Sequence, residues 1–159
     1  MVCPDCKQTG TLNKHGSLKN KAGQLRGIRL WCCPRRKSRP GCGKSHCIWL
    51  KRIVPGHSVP AQALGNFLSF WSELSGDVLA AWQRAKTGFS TDSAYRWVKR
   101  FVLNQGEIRT RLSRVRAPPQ PLKQSTHADL FEHLSVVLGS EPFIEAFQMR
   151  FQQPWPMAA

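Results

Sequence analysis

The chain has 159 residues with 24 Lys/Arg against nine Asp/Glu, a formal net charge of +15 and a pI near 10.4. That length holds one domain or two small ones, the 41% of apolar residues can build a core, and the charge is the footprint of a polyanion binder. Membrane insertion is excluded as an expectation, because no apolar run nears the roughly 18–20 residues of a span; Met1-Val-Cys-Pro-Asp-Cys6 is no signal peptide, so a cytoplasmic, nucleoid-associated protein is expected.

The first predicted module covers residues 1–56 and carries all six cysteines. Cys3-Pro-Asp-Cys6 has the two-residue spacing that lets one turn present two sulfurs to one ion. Cys42, followed by Gly43, offers a third sulfur, and Cys32 or Cys33 the fourth. Adjacent strand residues point to opposite faces, so a regular strand gives only one of that pair to a site. Pro34 after Cys33 echoes Pro4 after Cys3 and favours Cys33. The alternation Ile28–Leu30–Cys32 can equally aim Cys32 inward, and both stay open. His46 and Cys47 stand in reserve. Without an export signal the compartment is reducing, where such spacing means metal and not disulfides. The expected cofactor is a structural Zn2+, because sulfur alone suffices to close the site.

Around these cysteines Gly10, Gly16, Gly23, Gly27, Gly41 and Gly43 punctuate short strands. Gly27–Cys32 alternates apolar and polar, and Cys47–Val54 is a second strand candidate. Residues 1–60 hold thirteen Lys/Arg and one acid, Asp5. Arg29, Arg35, Arg36, Lys37, Arg39 and Lys44 are the candidate nucleic-acid contacts of this module.

A helical pattern fills residues 57–116. Ser58 is a candidate cap with Pro60 in the first turn, and Ala63, Leu64, Phe67, Leu68 and Trp71 follow at spacings of three and four. Asp77 caps a second helix. After the turn Lys86–Phe89, Ser90 or Thr91 starts a third, which runs to about Asn104; residues 109–116 continue as a basic helix. The second and third helices have the proportions of a helix-turn-helix, whose second helix lays its N-terminal residues on base edges. Ala94, Trp97, Val98, Phe101 and Val102 form the packing stripe. Thr91, Tyr95, Arg96, Lys99 and Arg100 are left for nucleic acid, Arg96 suited to guanine and the other cations to phosphate.

Three prolines make residues 117–125 a linker. Residues 126–159 then read as a pair of short helices, near 126–138 and 141–152, with one basic residue and four acids. Their large apolar sets suit packing on the central helices or on a partner, a second copy or a transposase.

Cys3-Pro-x-Cys6, a basic hairpin and Cys42-Gly-Lys-Ser resemble the zinc ribbon at the N-terminus of bacterial insertion-sequence transposases and their accessory proteins. Gly88-Phe89-Ser90 followed by Ser93-Ala94-Tyr95-Arg96-Trp97-Val98-Lys99-Arg100-Phe101 resembles their helix-turn-helix. The resemblance covers about residues 1–104 and implies double-stranded DNA binding. The second cysteine pair is stretched relative to that pattern, and no catalytic domain follows.

The expected fold is α+β, a small zinc β-ribbon followed by an all-α domain. Two-metal nuclease chemistry needs clustered carboxylates, whereas Asp5 is the sole acid before Glu73 and the five histidines are scattered. The expected function is therefore a non-catalytic, zinc-containing DNA-binding protein tied to a mobile element. Two alternatives compete: an RNA-binding or ribosome-associated protein stacking bases on Trp31 and Trp49, and an adaptor that docks a larger enzyme through residues 126–159.

Overall fold

The computed structural model describes residues 1–21, 23–35, 40–55, 57, 59–120, 126–140 and 142–157. The chain divides into two units, Met1–Leu50 and Lys51–Ala159. The class is α+β: among the described residues one three-stranded antiparallel sheet is followed by five helices.

In the first unit, β1 (Leu12–Lys19), β2 (Leu25–Cys32) and β3 (Ser45–Trp49) lie in sheet order β1-β2-β3. Asn20 closes the first hairpin: its Oδ1 accepts from the Gln24 amide at 2.9 Å, and its own amide donates to the Gln24 carbonyl at 3.1 Å. The register sets Leu12 opposite Cys32 on one side of β2 and Leu30 opposite His46 on the other. At Gly27 the neighbouring strand comes so close that a Cβ would run into the carbonyl oxygen of Ile48.

This sheet has almost no core. Among the described residues its buried apolar side chains are Cys3, Leu30 and Cys32, joined by Thr11. One leucine cannot offset the backbone entropy of fifty residues, at about 1–2 kcal/mol each.

The sequence pattern predicts a strand over 47–54 and a boundary near residue 56; both move. β3 stops at Trp49, and Val54 is wholly buried in the core of the second unit. The apolar run 48–54 is therefore shared between two units, which periodicity alone does not reveal.

The second unit contains α1 (Ala61–Glu73), α2 (Val78–Ala85), α3 (Thr91–Ser113), α4 (Thr126–Leu138) and α5 (Phe143–Phe151). Ser58, the expected cap of the first helix, lies outside the described residues; α1 begins directly after Pro60. The Asp77 carboxylate accepts from the Ala80 amide at 2.9 Å and starts α2. Ser90 Oγ accepts from the Ser93 amide at 3.3 Å and starts α3. Such caps satisfy amides that have no partner inside the helix.

α3 is longer than its sequence pattern suggests. It runs unbroken through Gly106 to Ser113, where a stop near Asn104 was expected. A helical glycine costs about 1 kcal/mol relative to alanine, and full burial of Ile108 and Leu112 beyond it outweighs that cost.

The C-terminal pair is not a separate module. Leu130 and Leu134 of α4 and Ile144 and Phe147 of α5 are buried in the same cluster as Leu64, Phe67 and Leu68 of α1 and Phe101 of α3. The final segment returns to this core. Trp155 stacks on Phe101 at 6.3 Å and meets Phe143 and Phe147 edge-on at 5.3 and 4.9 Å. Gln148 pins the closure: its Nε2 donates to the Lys51 and Ile53 carbonyls at 2.6 and 3.1 Å, and its Oε1 accepts from the Trp155 amide at 3.1 Å. Among the described residues no helix is long and apolar enough to cross a membrane.

Candidate metal centre

Two tight turns bring four sulfurs together. In the first, the Cys3 amide donates to the Gln8 carbonyl and the Lys7 amide to the Cys3 carbonyl, both at 3.0 Å. Lys7 turns through a left-handed conformation, φ 58°, which folds Cys6 back toward Cys3. The second turn is built on the end of β2. The Gly41 amide donates to Cys33 O at 2.8 Å, the Gly43 amide to Cys32 O at 2.9 Å, and the Cys32 amide to Lys44 O at 2.9 Å. These bonds hold Cys42 over Cys32 although nine residues separate them in sequence.

Cys3, Cys6, Cys32 and Cys42 place all four Sγ atoms within 4.8 Å of one another. Cys3 and Cys42 are 3.8 Å apart, and Cys6 and Cys32 are 3.6 Å apart. A tetrahedron with metal–sulfur bonds near 2.3 Å has an edge of about 3.8 Å, so the cluster has the dimensions of a four-thiolate metal site. Gly41 is required by this closure, because a Cβ there would lie 2.5 Å from Cys32 Sγ and 2.7 Å from Cys33 O.

The choice between Cys32 and Cys33 is decided by strand direction. Cys32 is fully buried and belongs to the cluster; Cys33, the alternative ligand, does not. Its carbonyl is used instead, accepting the Gly41 amide. The echo of Pro4 in Pro34 misleads, whereas the inward alternation Leu30–Cys32 is the working signal. Cys47 is exposed on β3 and stands outside the cluster.

The sulfurs are electrostatically unequal. The Thr11 hydroxyl, 3.3 Å from Cys32 Sγ, draws that thiol down to about 6 against the opposing effect of burial, and the Cys42 amide at 3.3 Å assists it. At Cys42 the Lys44 amide favours the thiolate, yet lost hydration and the neighbouring sulfurs outweigh it and push the thiol up to about 11.

Two residues support the cage, and of these only Thr11 escapes the sequence pattern. Its burial depends on the register that sets β1 beside Cys32. His46 is the other, held in reserve as a ligand. Its Nε2 lies 3.4 Å from Cys3 Sγ and 3.7 Å from Asp5 Oδ2, placing it against the sulfur cage and not among the four thiols. Lys44 Nζ sits 3.4 Å from Asp5 on the same rim.

The candidate nucleic-acid residues fall into two groups. Arg29 and Arg35 are exposed, and Lys44 is exposed beside Asp5; Arg36, Lys37 and Arg39 lie outside the described residues. On α3, Tyr95, Arg96 and Lys99 are exposed, and Thr91 and Arg100 are half-buried, while Ala94, Trp97 and Phe101 face the core. Arg96 Nε donates to the Asp92 carbonyl at 3.2 Å, which holds it along the helix. The chain matches no family model, no curated protein and no solved structure.

Proposed function

We propose that the protein is a non-catalytic DNA-binding protein whose N-terminal sheet is stapled by a structural zinc ion and whose α2–turn–α3 segment acts as a helix-turn-helix. Zinc suits four thiolates in a closed tetrahedron; iron favours the same donor set, so metal analysis of the purified protein decides between them. One zinc per chain is expected.

The observation that carries the DNA reading is the split of α3 into a buried apolar side and an exposed side bearing Tyr95, Arg96 and Lys99. The turn before it is firmly held: Trp82 Nε1 donates to the Phe89 carbonyl at 2.6 Å, and the Phe89 ring meets Trp97 at 4.8 Å. α2 and α3 touch, and Ala81 and Ala94 are both fully buried. Small side chains there suit the close helix approach such a motif needs. The net charge of +15 supplies the long-range attraction to phosphate. The likeness of both motifs, in the same order, to those of insertion-sequence proteins supports an association with a mobile element.

Titration of duplex DNA at several salt concentrations tests this reading. The logarithm of affinity should fall with the logarithm of salt at a slope near −0.9 per phosphate contacted. Arg96→Ala should weaken a selected site about tenfold or more and relax selectivity there, as expected for loss of a guanine contact worth roughly 1–3 kcal/mol. Lys99→Ala should weaken all sequences alike. A flat salt response would sink the proposal.

A further inference from the structure

The sheet has a second face that the metal does not use. Register and pleat sort the side chains. Cys32, Leu30 and Ile28 of β2 share one face with Leu12 of β1 and with His46 and Ile48 of β3. Trp31 and Arg29 project from the opposite face, together with Ser45, Cys47 and Trp49. His15 joins that face, because its ring lies 6.0 Å from the Trp31 ring.

Trp31 is a fixed, half-buried ring, and Trp49 is half-buried as well. Trp31 Nε1 donates to the Gly43 carbonyl at 3.0 Å, in an exposed setting, which satisfies its polar edge and sets its orientation. Trp31 pairs with Ser45, four residues before Trp49 on the adjacent strand. At about 3.3 Å per residue the two tryptophan backbones stand roughly 13 Å apart along the strands. Arg29 lies between them, opposite Cys47, and is exposed. Gly27, opposite Trp49, adds no side chain to crowd that end.

We propose that this face binds an unpaired stretch of nucleic acid, with bases stacked on Trp31 and Trp49 and the backbone phosphates held by Arg29 and the surrounding cations. Aromatic rings spaced along a cationic surface are what unpaired bases require, because every base has a face to stack and every linkage a charge to neutralise. The charge complementarity is strong: residues 1–50 carry eleven Lys/Arg and the single acid Asp5, and that acid sits by His46 and Lys44 on the metal side. An acidic peptide would match the charge but gives flat aromatic rings nothing to stack on. The site is independent of α3, so it stands whether or not α3 reads duplex DNA.

The test uses the full-length protein with its metal content verified. Oligothymidylate, oligouridylate and an abasic oligonucleotide of equal length and charge are titrated at one salt concentration. Stacking predicts that at least one base-bearing strand binds about tenfold or more tighter than the abasic strand; the tighter of the two identifies DNA or RNA as the source. Trp31→Ala with retained metal should erase most of that difference, and Trp31→Phe should keep it. Should Trp31→Ala shed the metal, photocrosslinking of wild-type protein to a strand bearing 5-iodouracil replaces it, and crosslinks to His15, Trp31 or Trp49 are expected. Equal affinity for abasic and base-bearing strands, or crosslinks confined to residues 51–159, overturns the proposal.

Discussion

Cys32 and Cys33 are adjacent and chemically identical, yet only Cys32 has its sulfur in the cluster, 3.6 Å from Cys6. Cys32→Ser should abolish stoichiometric metal binding, and Cys33→Ser should leave it intact, measured as metal per chain after gel filtration. The reverse result would mean that β2 ends one residue later than described. The spacing Cys3-x-x-Cys6 is legible in the sequence because both ligands sit in one turn. The other half is legible only as a set of candidates, Cys42 with Cys32 or Cys33, because the way Cys42 comes over Cys32 depends on three backbone hydrogen bonds around Gly41 and Gly43. Those bonds link residues far apart on the chain, and no local pattern encodes them. Gly41 stands in the sequence as one more turn glycine, and only the 2.5 Å approach of its absent Cβ to Cys32 Sγ reveals its specific role.

The helices follow their sequence signals most closely where a cap and an apolar stripe coincide. Asp77 and Ser90 both form their caps, and the stripe on α3 is buried at Ala94, Trp97 and Phe101, whereas Val98 is half-buried and Val102, expected in the same stripe, is 43% exposed. The signals mislead where a stripe must be weighed against a breaker, as at Gly106 within α3. They are silent on the segment after α5, where Pro154-Trp155-Pro156 has no periodicity. Trp155 nevertheless fills the centre of an aromatic cluster and is only 2% exposed. Trp155→Ala should therefore destabilise the helical unit by about 3–5 kcal/mol, in the range of large-to-small core substitutions. Deleting residues 153–159 should cost at least as much. Urea denaturation followed by helical circular dichroism measures both, and an unchanged midpoint would remove Trp155 from the core.

At the scale of the whole chain the two units are stabilised by different means. The helical unit buries some twenty side chains around Phe67, Phe101 and Phe147, whereas the sheet unit has Leu30 and its cysteines. A bound structural zinc contributes roughly 10–16 kcal/mol in small modules, ample for a sheet that buries so little. Chelation should thus unfold residues 1–50 and spare residues 51–159. Limited proteolysis with and without chelator checks this: a resistant fragment beginning near Lys51 should accumulate only when metal is removed. Loss of both units together would show that their stabilities are coupled. The closure made by Trp155 also has a consequence in time. Domains generally fold as the chain is synthesised, N-terminal parts first. The sheet unit has all its ligands once Cys42 is made and all its strands by Trp49. The helical unit lacks its central aromatic ring until residue 155. Its helices emerge first and wait, with Phe101, Phe143 and Phe147 uncovered, for the last tryptophan to arrive. A chain ending at Gln152 would hold that waiting state permanently, so the segment around Trp155 decides when the nascent helical unit stops presenting an adhesive surface to its neighbours.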